Sequence, residues 1–347
     1  MTTIVVSPRE RYSSILPSLE SLFSTISPDV PVIVVEGSTP RAIRRRLREL
    51  NQRRPFTHVS LGYMVTPNEA RNIGMRMAST PYVVLSDNDI EYEPGWLEAL
   101  ERNASESGAD AVAPLIFIGP SEARTIHHAG GRLIFNESSG RPIIKEEHRL
   151  MNVPFERVES RLSELAPADN DVCEFHCALL RKSVWESMGG LDERLITREQ
   201  VDFGLRLISM GSRITFAKDS HVTYRAFDPF NPIDLGYHLF RWSDHRAVES
   251  MDAFEETWQL NLEREHIRTQ WIANHRARAI ASAYPRFSRY LPRRIFRRFF
   301  IPLLEFLSKR REIRSRRGHS IRPLIPSRPD APAVKQVLRA ISASPVG

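Results

Sequence analysis

Two cysteines in 347 residues, Cys173 and Cys177, are too few for a disulfide-stapled or zinc-clustered fold. They flank His176 in DVCEFHCALL, where strand alternation puts both on one face as small buried hydrophobes. Glycine is missing where a phosphate loop would need it: the first apolar run and its sequel, IVVSPRERY, contain none, which argues against a sugar nucleotidyltransferase. No stretch approaches the roughly 18 uninterrupted apolar residues of a membrane span. The start, MTTIVVSPRERY, lacks the charged opening and long apolar core of a secretion signal, so a soluble cytoplasmic chain is expected.

What is present is an ordinary globular composition, 41% hydrophobic, with ample material for a core. The net charge of +7 is unevenly spread. From Ala281 to Gly318 twelve Lys or Arg stand against two Glu, a surplus of +10 that leaves −3 for the rest. A nucleic-acid partner would suit these arginines but would leave the acidic motifs described below without a role, so none is expected.

The first part alternates short apolar runs with helical patterns. Strands are expected at Thr3 to Val6, Val32 to Val35, His58 to Leu61 and Tyr82 to Leu85; helices at Ser13 to Phe23, Arg41 to Leu50, Asn68 to Met77 and Gly95 to Asn103. Such spacing implies parallel βαβ units in a doubly wound, mainly parallel sheet. Ligands of these sheets bind beyond the carboxyl ends of the strands, where Ser7, Pro8, Glu36, Gly37, Gly62 and Asp87 to Asp89 fall. Further on, a hairpin is expected around Ser138 to Arg141, a loop near Ala166 to Asn170, and a strand from Cys173. A helix from Arg181 to Gly189, a helix from Arg198 to Met210 opened by a Thr197/Gln200 capping box, and a strand at Arg213 to Ala217 follow.

Chemistry concentrates in PYVVLSDNDIEYEPGW. Asp87 and Asp89, one residue apart at a strand end, suit a hard divalent cation, Mg²⁺ or Mn²⁺, whose shell phosphates complete; Asp and Asn also cap helices and turns. Three features accompany them in order: EGS at Glu36 to Ser38, NEARNIG at Asn68 to Gly74, and GGLDERLITREQVDFGLR from Gly189 to Arg206. The set ARNIG-x(12)-DND and GGLDE followed by E-x-x-D-x-x-L-R resembles family 2 glycosyltransferases of the GT-A fold, over about Thr3 to Trp258.

The resemblance implies an inverting, metal-dependent transfer of a sugar from a nucleotide-sugar donor to a hydroxyl acceptor, a glycan or a lipid-linked one. Asp89 would bind the metal bridging the donor diphosphate, and Asp87 the ribose or a metal-bound water, with Asn88 between them. Pro8, Glu36 and Ser38 would line the nucleotide pocket, and Arg71 would face the diphosphate or pair with a neighbouring carboxylate. An acceptor base is needed, and Glu199 and Asp202 are rivals, the E-x-x-D spacing favouring Asp202. His221 is the candidate third metal ligand. Gln200 stands where relatives usually carry an acid, which leaves open a sugar-nucleotide-binding protein that has lost turnover.

Three regions are expected: 1–250 as the transferase domain, with a nucleotide half to about 115 and an acceptor half from 116; 251–318 as a basic helical extension; and 319–347 as a disordered Pro-rich tail. In the extension, Ile295, Phe296, Phe299, Phe300, Leu303, Leu304, Phe306 and Leu307 interleave with arginines, with Pro302 dividing two short helices. That pattern suits either packing on the catalytic domain or an anionic membrane surface at the inner face, through 281–318.

Overall fold

The computed structural model describes residues 1–136, 140–164, 170–226, 228–290, 292–319 and 322–330, with single positions beyond. Its frame is a sheet ordered β3-β2-β1-β4-β10-β6-β11-β5, with β7 paired to β6. The strands are β1 (Thr2–Ser7), β2 (Val32–Glu36), β3 (Thr57–Ser60), β4 (Tyr82–Asp87), β5 (Ile90–Tyr92), β6 (Ala111–Ile118), β7 (Thr125–His128), β10 (Cys177–Arg181) and β11 (Ile214–Tyr224). β8 (Gly131–Asn136) and β9 (Ile143–His148) form a separate antiparallel hairpin. The turn expected at Ser138 to Arg141 lies partly outside the described residues, as does most of the loop expected near Ala166 to Asn170.

Pairing among β1, β2, β3 and β4 is parallel, as the alternating pattern requires. β10 then inserts antiparallel between β4 and β6, a long-range pairing that local periodicity does not encode. Helices α1 (Ile15–Thr25), α2 (Arg41–Arg53) and α4 (Trp96–Ser107) cover one face, where Leu19, Leu47 and Leu100 meet Ile4, Val34 and Val84. The other face carries α3 (Pro67–Met77), α5 (Lys182–Met188) and α6 (Glu199–Ser209), where Met75, Trp185 and Phe203 meet Val5, Val83 and Leu85. Each fully buried Leu or Ile of these layers contributes about 1.5–3 kcal/mol.

α3 sits very close to β1 because Gly74 faces Val5: a Cβ there would lie 2.2 Å from Val5 Cγ1. Its start carries a complete capping box, the Glu69 N–H donating to Thr66 Oγ1 and the Thr66 N–H to Glu69 Oε2. The box expected at Thr197/Gln200 does not form. Arg198 takes a left-handed conformation, φ 60°, so the chain enters α6 without a side-chain cap. Gln200 instead donates to Glu146 Oε2 at 2.9 Å, and the Thr197 N–H is satisfied by Ser250 Oγ.

Beyond the sheet, α7 (Leu235–Arg241) and α8 (Asp244–Trp258) lead into a helical run with a π-helical turn at Ile267–Ile272 and a regular helix at Ala273–Ala283. In the basic extension Pro302 opens the helix Ile301–Arg316 rather than dividing it. Phe300, Ile301 and Leu304 pack on the cluster of Leu235, Leu239 and Ile280. The described stretch 322–330 of the Pro-rich tail, read as disordered from sequence, lies against the body. Leu324 and Glu193 exchange hydrogen bonds, and Arg206 donates to the Ser327 carbonyl.

Candidate active site

β4 ends at the carboxyl edge beside β1, and its register sets Asp87 opposite Ser7. Asp87, Asn88 and Asp89 are all buried there. Arg71 Nη2 donates to Asp87 Oδ1 at 2.9 Å, and Arg9 Nη1 to Asp87 Oδ2 at 2.9 Å. Burial alone would raise this carboxyl, but Arg71, His176 and Arg9 overcome it and hold Asp87 well below the usual range. Asn88 is a brace: its Oδ1 accepts from the Arg9 N–H and its Nδ2 donates to the Arg11 carbonyl.

Asp89 is the opposite case. Its Oδ1 is buried without a hydrogen-bond partner. Burial and the negative charge of Asp87 push its carboxyl up to about 8. A buried carboxyl oxygen with no hydrogen-bond partner suits a bound cation. Ligand atoms of Asp87, Asp89 and His176 lie within 4.8 Å of one another, an oxygen-rich set with one imidazole that fits a borderline-hard divalent ion. His176 Nδ1 is 3.3 Å from Asp87 Oδ2, its ring packs 4.0 Å from that of Tyr224, and burial with Arg9 nearby lowers it to about 4, leaving a neutral imidazole. The residues present therefore fit the metal that the resemblance implies, with Asp89 and His176 as the groups in want of it.

His221, the histidine expected here, is brought elsewhere. β11 shifts register between Ala217 and His221, and the ring meets Glu93 Oε2 at 3.2 Å and the Lys218 carbonyl at 3.0 Å. His176 escaped the sequence reading because the cysteines around it suggest plain core. The signal was a histidine inside an otherwise apolar run, and its meaning depends on β10 lying beside β4.

The remaining expected residues divide by environment. Arg71 is fully buried between Asp87, Asn68 and the Phe175 ring, 4.3 Å from its guanidinium carbon, which favours the ion-pair alternative. The two asparagines of NEARNIG brace the GGLDE loop: Asn72 bonds Leu191 through both its amide atoms, and Asn68 Nδ2 donates to the Asp192 carbonyl. Glu36 is buried at the end of β2, its Oε2 accepting from the Thr39 N–H and its Oε1 3.5 Å from His58 Nε2. Ser38 is half-buried next to it; Pro8 is buried, and its carbonyl accepts from the Tyr237 hydroxyl.

Arg9 and His176, which meet Asp87, face a cavity of about 810 Å³ whose wall also includes Tyr224, Glu199 and Trp271. Glu199 is on this wall, at the start of α6, 3.0 Å from Arg241 Nη2 and 4.0 Å from Arg71 Nη1. Asp202 is not on it: Oδ2 accepts from Arg206 at 2.9 Å and Oδ1 from Trp258 Nε1 at 2.8 Å. The hairpin supplies a second acidic centre on the same wall, where His148 Nε2 lies 3.0 Å from Glu146 and 3.4 Å from Glu174. Burial opposes the charge on His148, yet Glu146 and Glu174 raise it to about 9, while burial and Glu146 push Glu174 up to about 7. His127 lines the cavity with its ring 5.2 Å from that of His176, and Trp242 donates to Glu10 Oε2.

A curled, largely parallel sheet with helices on both faces is the GT-A fold. The chain belongs to glycosyl transferase family 2, whose family model matches residues 3–188. A curated protein from Myxococcus xanthus, O-antigen biosynthesis protein RfbC, is 25% identical over 224 residues. The match takes in 61% of this chain, which spans only 16% of that relative's length. Among solved structures, GalNAc-T7 with UDP, GalNAc and Mn²⁺ superposes with a TM-score of 0.51 at 14% identity, over 82% of this chain and 57% of that one. The mannosyltransferase PcManGT from Pyrobaculum calidifontis, in complex with GDP-Man and Mn²⁺, has a TM-score of 0.49 at 13% identity, over 99% and 87% of the two chains.

Proposed function

We propose that this protein transfers a sugar from a nucleotide-sugar donor to a hydroxyl of a glycan or lipid-linked acceptor, with inversion and with the help of a divalent cation. The observation that carries this reading is the carboxylate of Asp89, buried without a partner beside His176 at the carboxyl edge of the sheet. Family membership supports it, as do the UDP and Mn²⁺ present in the GalNAc-T7 structure. Asp89 and His176 would hold Mn²⁺ or Mg²⁺, which would supply neutralising charge to the departing diphosphate. Asp87 works from behind, tied to Arg71 and Arg9. Pro8, Glu36 and Ser38 form the nucleotide end.

The acceptor hydroxyl loses its proton as its oxygen attacks the anomeric carbon. Glu199 is the carboxylate for this step, because it faces the cavity while Asp202 is spent on Arg206 and Trp258. Residues 1–250 form the transferase domain, and the extension 251–318 docks it. Its helix Ile301–Arg316 turns Leu303, Phe306, Leu307 and Ile313 outward, as the preceding turn does Phe299, each at least half exposed, among exposed Lys309, Arg310 and Arg314. Apolar rings among cations complement an anionic lipid surface, which supports a cytoplasmic enzyme held peripherally at a membrane. Among the described residues no helix is long and apolar enough to cross one.

The test is turnover. Purified protein with Mn²⁺ is offered UDP-, GDP- and dTDP-sugars, and release of nucleoside diphosphate is followed with and without chelator. Chelator-sensitive release that needs Glu199 supports the reading; binding of donor without any release leaves only the sugar-nucleotide-binding alternative that Gln200 raises.

A further inference from the structure

The loop after β1 places an arginine where the donor's leaving group must lie. Arg9 is fixed to the acidic triplet at both ends, its N–H donating to Asn88 Oδ1 at 3.1 Å and its Nη1 to Asp87 Oδ2 at 2.9 Å. Its guanidinium carbon stands 5.2 Å from the centroid of the Tyr224 ring, itself packed on His176. Among the described residues, Nη1 is the one side-chain nitrogen of Arg9 in a hydrogen bond, and Nε is buried without a partner. The side chain is 15% exposed and lines the 810 Å³ cavity.

Two other arginines of the same wall are held differently. Both Nη atoms of Arg11 go to the carbonyls of Asp228 and Ala226, and those of Arg241 to the Ile196 carbonyl and Glu199. Arg9 alone of the three keeps an Nη to spare while its neighbours are committed to protein acceptors. A buried arginine beside one carboxylate could be no more than that carboxylate's counter-ion. Asp87, however, already has Arg71 on its other oxygen, so a second guanidinium exceeds what a single carboxylate needs.

We propose that Arg9 binds the donor diphosphate directly, receiving the leaving group with its unused N–H donors while Nη1 stays on Asp87. The inference rests on the donor-site reading above and adds a ligand-contacting residue to it. In the transfer the bond from the anomeric carbon to the β-phosphate oxygen breaks and its electron pair stays on that oxygen. The acceptor oxygen forms the new bond and its proton passes to Glu199. The leaving diphosphate thus gains negative charge, and a planar guanidinium matches a phosphate with paired donors where a cation supplies only point charge.

Inorganic pyrophosphate, titrated calorimetrically into the full chain in chelator, isolates the arginine's part from the metal's. Metal-free pyrophosphate should bind the unaltered protein, and Arg9→Gln should weaken it about tenfold or more, with Arg9→Lys falling between. Loss of the Arg9→Gln fold is covered by the unaltered protein, in which pyrophosphate should slow phenylglyoxal labelling of Arg9. Equal affinity in Arg9→Gln, or labelling of Arg9 indifferent to pyrophosphate, overturns the proposal. The donor-site reading is judged separately, by nucleoside diphosphate with Mn²⁺: binding there with no metal-free pyrophosphate binding sinks the Arg9 role alone, and no binding in either experiment sinks both.

Discussion

Asp87 and Asp89 are one residue apart and electrically opposite, because one is surrounded by guanidinium groups and the other is not. The contrast makes signed predictions. Asp87→Asn strands Arg71, which is fully buried, and should cost about 3–5 kcal/mol of stability, read from denaturant melts. Asp89→Asn replaces a carboxyl that burial and Asp87 push up to about 8 and so keep mostly neutral, so the metal-free protein should melt no lower than before near neutral pH, and should lose its stabilisation by Mn²⁺ with nucleoside diphosphate. At the acceptor side, Glu199→Gln should cut turnover by about 10²–10⁴ with donor affinity kept. Asp202→Ala should instead lower stability by about 3 kcal/mol, since Arg206 and Trp258 lose their shared acceptor; a rate loss at unchanged stability there would return the base to Asp202. The acidic triplet was legible because carboxylates rarely end an apolar strand. Arg9 and His176 were not, since their roles arise only when β1, β4 and β10 lie side by side.

At the scale of elements, the tight contact of α3 on β1 and the acidic hairpin carry the site. Gly74→Ala puts a methyl group into Val5 and should cost about 1–3 kcal/mol, measurable as a lower denaturation midpoint. In the hairpin, His148 is raised above its unfolded value by Glu146 and Glu174, with Arg198 and Gln200 also on Glu146. A raised histidine stabilises fully below its unfolded pKa of about 6.5, and that contribution is lost as pH rises through about 9. Melting temperature should therefore decline over this window, and the decline should flatten in His148→Gln. The early strands and helices were readable to within a few residues because each carries its own period and buries its own face. The Thr197/Gln200 box was misread for a tertiary reason. Glu146, from a hairpin some fifty residues earlier, takes the Gln200 amide that a local cap would have used.

For the whole molecule, the chain folds back on its own start. Arg316, at the end of the C-terminal helix, donates to the Met64 carbonyl and to both oxygens of Glu69, and Arg246 pairs with Glu312. Charge and Pro content in this region describe composition, not docking, which is why the tail's contacts with Glu193 and Arg206 were not legible. The outward face of Phe299, Leu303 and Phe306 should bind vesicles rich in anionic lipid, with retention falling as salt rises and little retention on neutral vesicles in flotation. On this reading the carboxyl edge of β4 would bind a nucleoside diphosphate together with a divalent cation. Titration calorimetry of UDP and GDP into the protein with Mn²⁺, repeated with chelator and in Asp89→Asn, tests it most directly. Binding should need both the metal and Asp89; equal binding in all three experiments would overturn the donor-site reading.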